Sequence, residues 1–170
     1  ERLDITSSLK TTTEESYFKR IREKSASLFR ASTFSGALAG GGSPSEIAAL
    51  SAFGENFGIA YQLKDDIIDL AHNGTGVLED HRIGNVTLPL IHSYANSTPN
   101  QRKEIENQLH TLPKKKLDTL ETLRRIGSFE YCERKIDEHL NRAVTSISGL
   151  RNSVHKGYLI ELTEVLRSQS

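Results

Sequence analysis

The sequence predicts an all-α protein, and three observations carry that prediction. Capping residues precede several apolar-periodic runs, apolar positions recur at three, four and seven residues, and no alternating β-branched stretch bounded by turns competes with them. The first helix is opened by "TTTEES", where Thr12 and Glu15 have capping-box spacing. Its apolar or small positions are Tyr17, Ile21, Leu28, Ala31 and Ser35, and Gly40, Gly41 and Gly42 end it. "SPSE" then restarts a helix, with Ser43 as N-cap, Pro44 at the first position and Glu46 at the third, running from Pro44 to about His72. "HNGTG" breaks the pattern because Asn and Gly tolerate positive φ. A helix over 86–94 follows, with Pro89 in its first turns, and "STPNQ" repeats the cap logic through Thr98, Pro99 and Gln101. Further helices are predicted over 100–111, 114–125, 128–150 and 156–166. No internal repeat interrupts this order, so residues 1–170 read as one all-α domain.

Bulk composition narrows the function classes. Lys plus Arg equals Asp plus Glu, 22 each, and no basic patch is interleaved with aromatics, which argues against a nucleic-acid partner. The run Lys114, Lys115 and Lys116 after Pro113 reads as a solvated loop or helix start. Cys132 is the sole cysteine, which excludes an internal disulfide and a Cys-based metal site and fits a reducing compartment. No apolar run approaches the ~20 residues that cross a bilayer, and no signal peptide is visible, so a soluble, cytoplasmic protein is expected. The glycine-rich "GALAGGGSP" lacks a preceding strand and a Gly-Lys-Ser/Thr ending, and reads as a helix–helix turn rather than a phosphate loop.

The chemistry is concentrated in "YQLKDDIIDL", residues 61–70, where Asp65, Asp66 and Asp69 sit among apolar neighbours. On a helix Asp65 and Asp69 lie about 40° apart, one turn above the other, with Asp66 about 100° from Asp65. Gln62, one turn earlier, joins the same face. Like charges at this spacing repel. A hard cation reverses that term, and Mg²⁺ is commonly held by one or two carboxylates plus substrate phosphates. Spacing alone leaves two readings open, a solvated face and a cation site.

Three ordered blocks resolve the choice by resemblance. Tyr17, Ile21, Lys24, Ala26 and Leu28, then Gly58, Gln62, Asp65, Asp66 and Asp69, then Asp80, Gly84, Thr87, Leu88 and Pro89 resemble the C-terminal half of the trans-isoprenyl diphosphate synthase (polyprenyl synthase) family. Ser25 and Tyr61 replace the Thr and Phe usual there. The resemblance is firm over residues 1–100 and loose over the helical tail. It implies an isoprenoid-synthase-like helical bundle, of which this chain is the C-terminal portion. It implies a Mg²⁺-dependent prenyltransferase that extends an allylic prenyl diphosphate with isopentenyl diphosphate, releasing diphosphate. By the same resemblance Asp65 and Asp69 ligate Mg²⁺, with Asp66 as a ligand or just behind it. Lys24 binds the leaving diphosphate, and Ser25 and Gln62 present oxygen dipoles to the allylic cation. A homodimer is expected on the same ground.

The match also departs from the family. A second aspartate-rich motif belongs well upstream, yet the other aspartates, Asp4, Asp80, Asp118 and Asp137, are scattered singly. The chain alone is therefore not expected to catalyse; an N-terminal half, on the same polypeptide or a partner, must supply the first motif. The loop over 72–80 is shorter than usual, its Gly-Lys pair becomes Gly74-Thr75, and Asn85 stands where lysine precedes "TLP". Two accounts fit, a C-terminal part of a full synthase and a diverged, non-catalytic helical subunit that partners or regulates one. "ERLDI" resembles the middle of a family helix, which makes the first the expectation.

Overall fold

The computed structural model describes residues 9–72, 86–110 and 116–168, and among them there are helices and turns but no strand. In chain order these are α1 (Glu14–Ile21), a π-helical turn (Arg22–Ala26), α2 (Ser27–Ala39), α3 (Pro44–His72), α4 (Leu88–Ala95), α5 (Pro99–His110), α6 (Lys116–Arg125), α7 (Ser128–Ser146) and α8 (Val154–Ser168). The all-α expectation is met.

Local chemistry explains the boundaries. Ser43 accepts from the Glu46 N–H at 3.3 Å while its own N–H donates to the Glu46 carboxylate at 2.8 Å, the reciprocal box read from "SPSE". Those bonds from the Ser43 backbone and hydroxyl hold the Glu46 carboxyl below the usual carboxylate range. Thr98 and Gln101 make the same exchange at the start of α5, at 2.8 and 3.4 Å. The first cap differs from expectation. Thr13 and Ser16 exchange backbone-to-hydroxyl bonds at 3.0 and 3.1 Å, so the box sits one residue beyond Thr12–Glu15. α2 ends in a Schellman motif: Gly41 at φ 71° donates to Leu38 O and Gly42 to Ala37 O. α7 stops at Ser146 rather than 150, because the chain tightens into i→i−3 bonds from Ile147, Ser148 and Leu150. The Lys156 ammonium then donates to the freed carbonyls of Ser148 and Leu150. The "HNGTG" break, Asp80, Gly84 and Asn85 lie outside the described residues.

Two compact units are distinguishable. The first takes residues up to Tyr17 and Asp65–Glu133; its core includes Leu9, Tyr17, Leu70, Leu88, Leu90, Ile105, Leu123 and Cys132. It carries directed polar contacts: Tyr131 donates to Glu14 at 2.7 Å, Tyr94 to Glu106 at 2.8 Å, and His92 Nδ1 lies 3.0 Å from Ser128 Oγ.

The second unit takes Phe18–Lys64 and Arg134–Ser170, with Ile21, Ala26, Phe53, Phe57, Leu63, Ile136, Leu140, Ile147 and Leu166 buried. Here α2 and α3 approach at backbone distance. A Cβ on Gly58 would stand 2.7 Å from Ala26 Cα, and one on Gly54 would stand 2.6 Å from Phe29 O. Glycine at both positions, one turn apart, is what that approach requires. α8 docks on α7 through Arg167, which donates to Asp137 at 2.9 Å and Asn141 at 3.0 Å.

Candidate functional site

The 29 residues of α3 carry Gln62, Asp65, Asp66 and Asp69 on one continuous helix. Around its circumference Phe53, Phe57, Ala60, Leu63 and Leu70 are buried, whereas Tyr61 and Asp65 are exposed and Gln62, Asp66 and Asp69 half-buried. Asp65 thus lies on the open side of the helix, and Asp66 and Asp69 at its half-buried margin. Neighbouring Lys64, which the sequence reading did not single out, is buried at 2 % exposure.

In the second unit Lys24 and Ser25 fall on the π-helical turn, where Ser27 N–H reaches back to Arg22 O. Such turns insert one residue into a helix and re-aim its side chains. Lys24 is exposed. Ser25 Oγ donates to Gln62 Oε1 at 2.5 Å, so the two residues assigned a shared dipole role are in direct contact. Gly54 and Gly58 set up that meeting by letting the backbone at Ala26 and Phe29 close on α3. The sequence reading noted Gly58 but not Gly54, although the four-residue spacing was visible, and no residue pattern announced the π-helical turn.

In the first unit Asp66 accepts a 2.7 Å hydrogen bond from the hydroxyl of Tyr17, a side chain with no exposed surface. Cys132 is buried as well, and burial, with the charges of Asp66, Glu133 and Glu14, pushes its thiol far above the usual range. A thiol held neutral in this way is an inert core residue. Thr87 precedes α4 in an extended conformation, and its buried hydroxyl has no hydrogen-bond partner among the described residues.

Whether these residues suit a divalent cation is a question of donor chemistry and number. Asp65, Asp66 and Asp69 offer oxygen only, the donor type of Mg²⁺ rather than of zinc or copper. Among the described residues no three of His, Cys, Asp and Glu come together as a ligand group. The aspartates therefore do not form a self-sufficient three-carboxylate cage. They fit a cation that takes one or two carboxylates and completes its shell with water and phosphate oxygens.

A polyprenyl synthetase family model matches residues 1–126. The chain is 32 % identical over 158 residues to a short chain isoprenyl diphosphate synthase of Methanothermobacter thermautotrophicus, covering 90 % of this chain and 46 % of the relative. It is 30 % identical over 159 residues to the octaprenyl diphosphate synthase of Escherichia coli, covering 90 % and 49 %. Among solved structures, a polyprenyl synthase from Roseobacter denitrificans superposes with a TM-score of 0.83 at 26 % identity, over 99 % of this chain and 57 % of that one. A geranylgeranyl pyrophosphate synthetase from Pyrococcus horikoshii gives 0.82 at 25 %, over 94 % and 50 %. The chain spans about half the length of the curated relatives it matches.

Proposed function

We propose, from the premise that this chain belongs to the polyprenyl synthetase family, that it supplies the second aspartate-rich half-site of a Mg²⁺-dependent prenyltransferase. The reaction extends an allylic diphosphate with isopentenyl diphosphate and releases diphosphate. The observation that carries the reading is the placement of Asp65 and Asp69 one helical turn apart on α3, Asp65 exposed and Asp69 half-buried.

Asp65 and Asp69 would hold Mg²⁺, and Asp66 would add a third negative charge. Bound Mg²⁺ neutralises diphosphate oxygens and so makes diphosphate a better leaving group. The allylic C–O bond breaks and its electron pair leaves with diphosphate. The exposed Lys24 ammonium offers that anion a compact positive charge. Ser25 donates its proton to Gln62 Oε1, and the two oxygens would lend their dipoles to the allylic cation. The isopentenyl double bond attacks that cation, and loss of a proton gives a product one isoprenoid unit longer. The first aspartate motif comes from an N-terminal half, on the same polypeptide or a partner, and the working enzyme is a cytoplasmic homodimer. Among the described residues no helix is long and apolar enough to cross a membrane.

A second reading, a non-catalytic helical subunit of a complete synthase, is favoured by Thr75 and Asn85, which replace the family's lysines. One experiment separates them: intact mass of the undigested protein beside Mg²⁺-dependent incorporation of labelled isopentenyl diphosphate. A mass near twice 18.9 kDa, with activity that falls at least about a hundredfold in Asp65→Ala, supports the synthase. A mass near 18.9 kDa and no activity without a second chain supports the subunit.

A further inference from the structure

We infer that Tyr17 is a positioning residue that braces Asp66 and sets it apart from Asp65 and Asp69. The three aspartates look alike in sequence, but their surroundings differ. Asp65 is exposed, whereas Asp66 and Asp69 are half-buried, and Asp66 accepts a hydrogen bond from a tyrosine that is wholly enclosed. A buried tyrosine hydroxyl needs a partner. At 2.7 Å, O–H to carboxylate, the bond lies in the short, charge-assisted range. It fixes Oδ2 of Asp66 toward α1 and restricts rotation of the carboxylate.

The helix geometry agrees. Asp66 sits about 60° around α3 from Asp69 and about 100° from Asp65, whereas Asp65 and Asp69 are about 40° apart. In this arrangement Asp65 and Asp69 present the oxygens that meet a cation. Asp66 contributes a negative charge whose position is set by the fold, before any cation arrives. Tyr17 therefore acts through Asp66 and touches neither metal nor substrate.

The inference rests on the proposed metal role of Asp65 and Asp69, and the test separates the two failures. Mn²⁺ with inorganic diphosphate is titrated against the purified, undigested protein, and free Mn²⁺ is read by electron paramagnetic resonance. Asp65→Asn and Asp69→Asn are expected to weaken Mn²⁺ binding at least about a hundredfold, and Tyr17→Phe and Asp66→Asn by a smaller factor, about tenfold. The Tyr17→Phe/Asp66→Asn double variant should bind no more weakly than Asp66→Asn alone, because the hydroxyl acts only through that charge. Unchanged binding in Tyr17→Phe, or losses that multiply in the double variant, overturns the inference while leaving the metal role intact. So does a loss in Asp66→Asn as large as in Asp65→Asn, a comparison that holds even if Tyr17→Phe fails to fold. Unchanged binding in Asp65→Asn overturns the metal role itself, and the brace with it.

Discussion

The two units treat apolar helix faces differently. Among the described residues, the large apolar side chains that stand exposed, Leu28, Phe34, Leu38, Tyr61, Val154, Tyr158, Leu162 and Val165, all belong to the second unit. They are not scattered. On α8, Val154, Tyr158, Leu162 and Val165 fall within an arc of about 80°, with the buried Thr163 about 140° from its middle and the buried Leu166 at its flank, about 80° away. On α2, Leu28, Phe34 and Leu38 share about 120° with Ala31 and Ser35, while Ala37 faces inward. Each helix thus leaves an apolar face open. Among the described residues the first unit leaves no comparable side chain exposed, and it secures its helices with directed bonds such as Tyr17–Asp66 and Tyr131–Glu14. An amphipathic pattern tells which face is apolar; it does not tell what covers it.

The sharpest test of that contrast pairs two leucines of the second unit. Leu140 on α7 has no exposed surface, and Leu162 on α8 is half exposed. Leu140→Ala is expected to lower unfolding stability in urea by about 2–5 kcal/mol, through lost burial and a residual cavity. Leu162→Ala is expected to change it by less than about 0.5 kcal/mol. A comparable loss at Leu162 would mean that the α8 stripe is covered after all, and the contrast between the units would collapse.

A smaller effect is expected from acid. His139 in α7 is buried, its Nδ1 3.0 Å from Asn56 Oδ1, with the Phe18 ring 5.7 Å away. Burial pushes its pKa down to about 4, aided by Arg142, Arg22 and Lys135 and opposed by Glu138. Because the folded-state pKa lies below the unfolded value, the unfolded chain takes up the proton first as pH falls. The contribution of neutral His139 is fully present above about pH 6.5, declines toward pH 4, and amounts to at most about 3 kcal/mol. His139→Gln should flatten that acid limb in urea melts at pH 7, 5.5 and 4. An unchanged limb would place the acid sensitivity elsewhere.

The same contrast shows how much could be read from residues alone. The caps at Ser43 and Thr98 and the full extent of α3 were legible because they depend on a few neighbouring side chains. The periodic set Tyr17, Ile21, Leu28, Ala31 and Ser35 was legible as helical, yet it divides: Tyr17 and Ile21 are enclosed and the other three exposed. That division depends on which helices lie opposite, a long-range fact with no local signature. The aspartates could be placed on one helix face, but the Tyr17–Asp66 bond joins residues 49 apart in sequence. The Ser25–Gln62 bond likewise depends on a glycine-mediated helix approach and a π-helical turn.

The smallest predicted effect concerns the one cap that the residues misplace. Three threonines in a row precede α1, and any of them has the oxygen that an N-cap needs. Thr12 carries the glutamate at capping-box spacing, which is why it is the natural choice from sequence. Thr13 is the residue that accepts from the Ser16 N–H, and Ser16 Oγ returns the bond to the Thr13 N–H. Ser16 takes the role because it stands three residues after Thr13, the position from which a side chain returns the bond. Glu14, the first residue of α1, is held by Tyr131 at 2.7 Å within the first unit. Thr13→Ala is expected to cost about 1 kcal/mol in urea unfolding, more than Thr12→Ala. The reverse ranking would move the start of α1 back to the position that the glutamate marks.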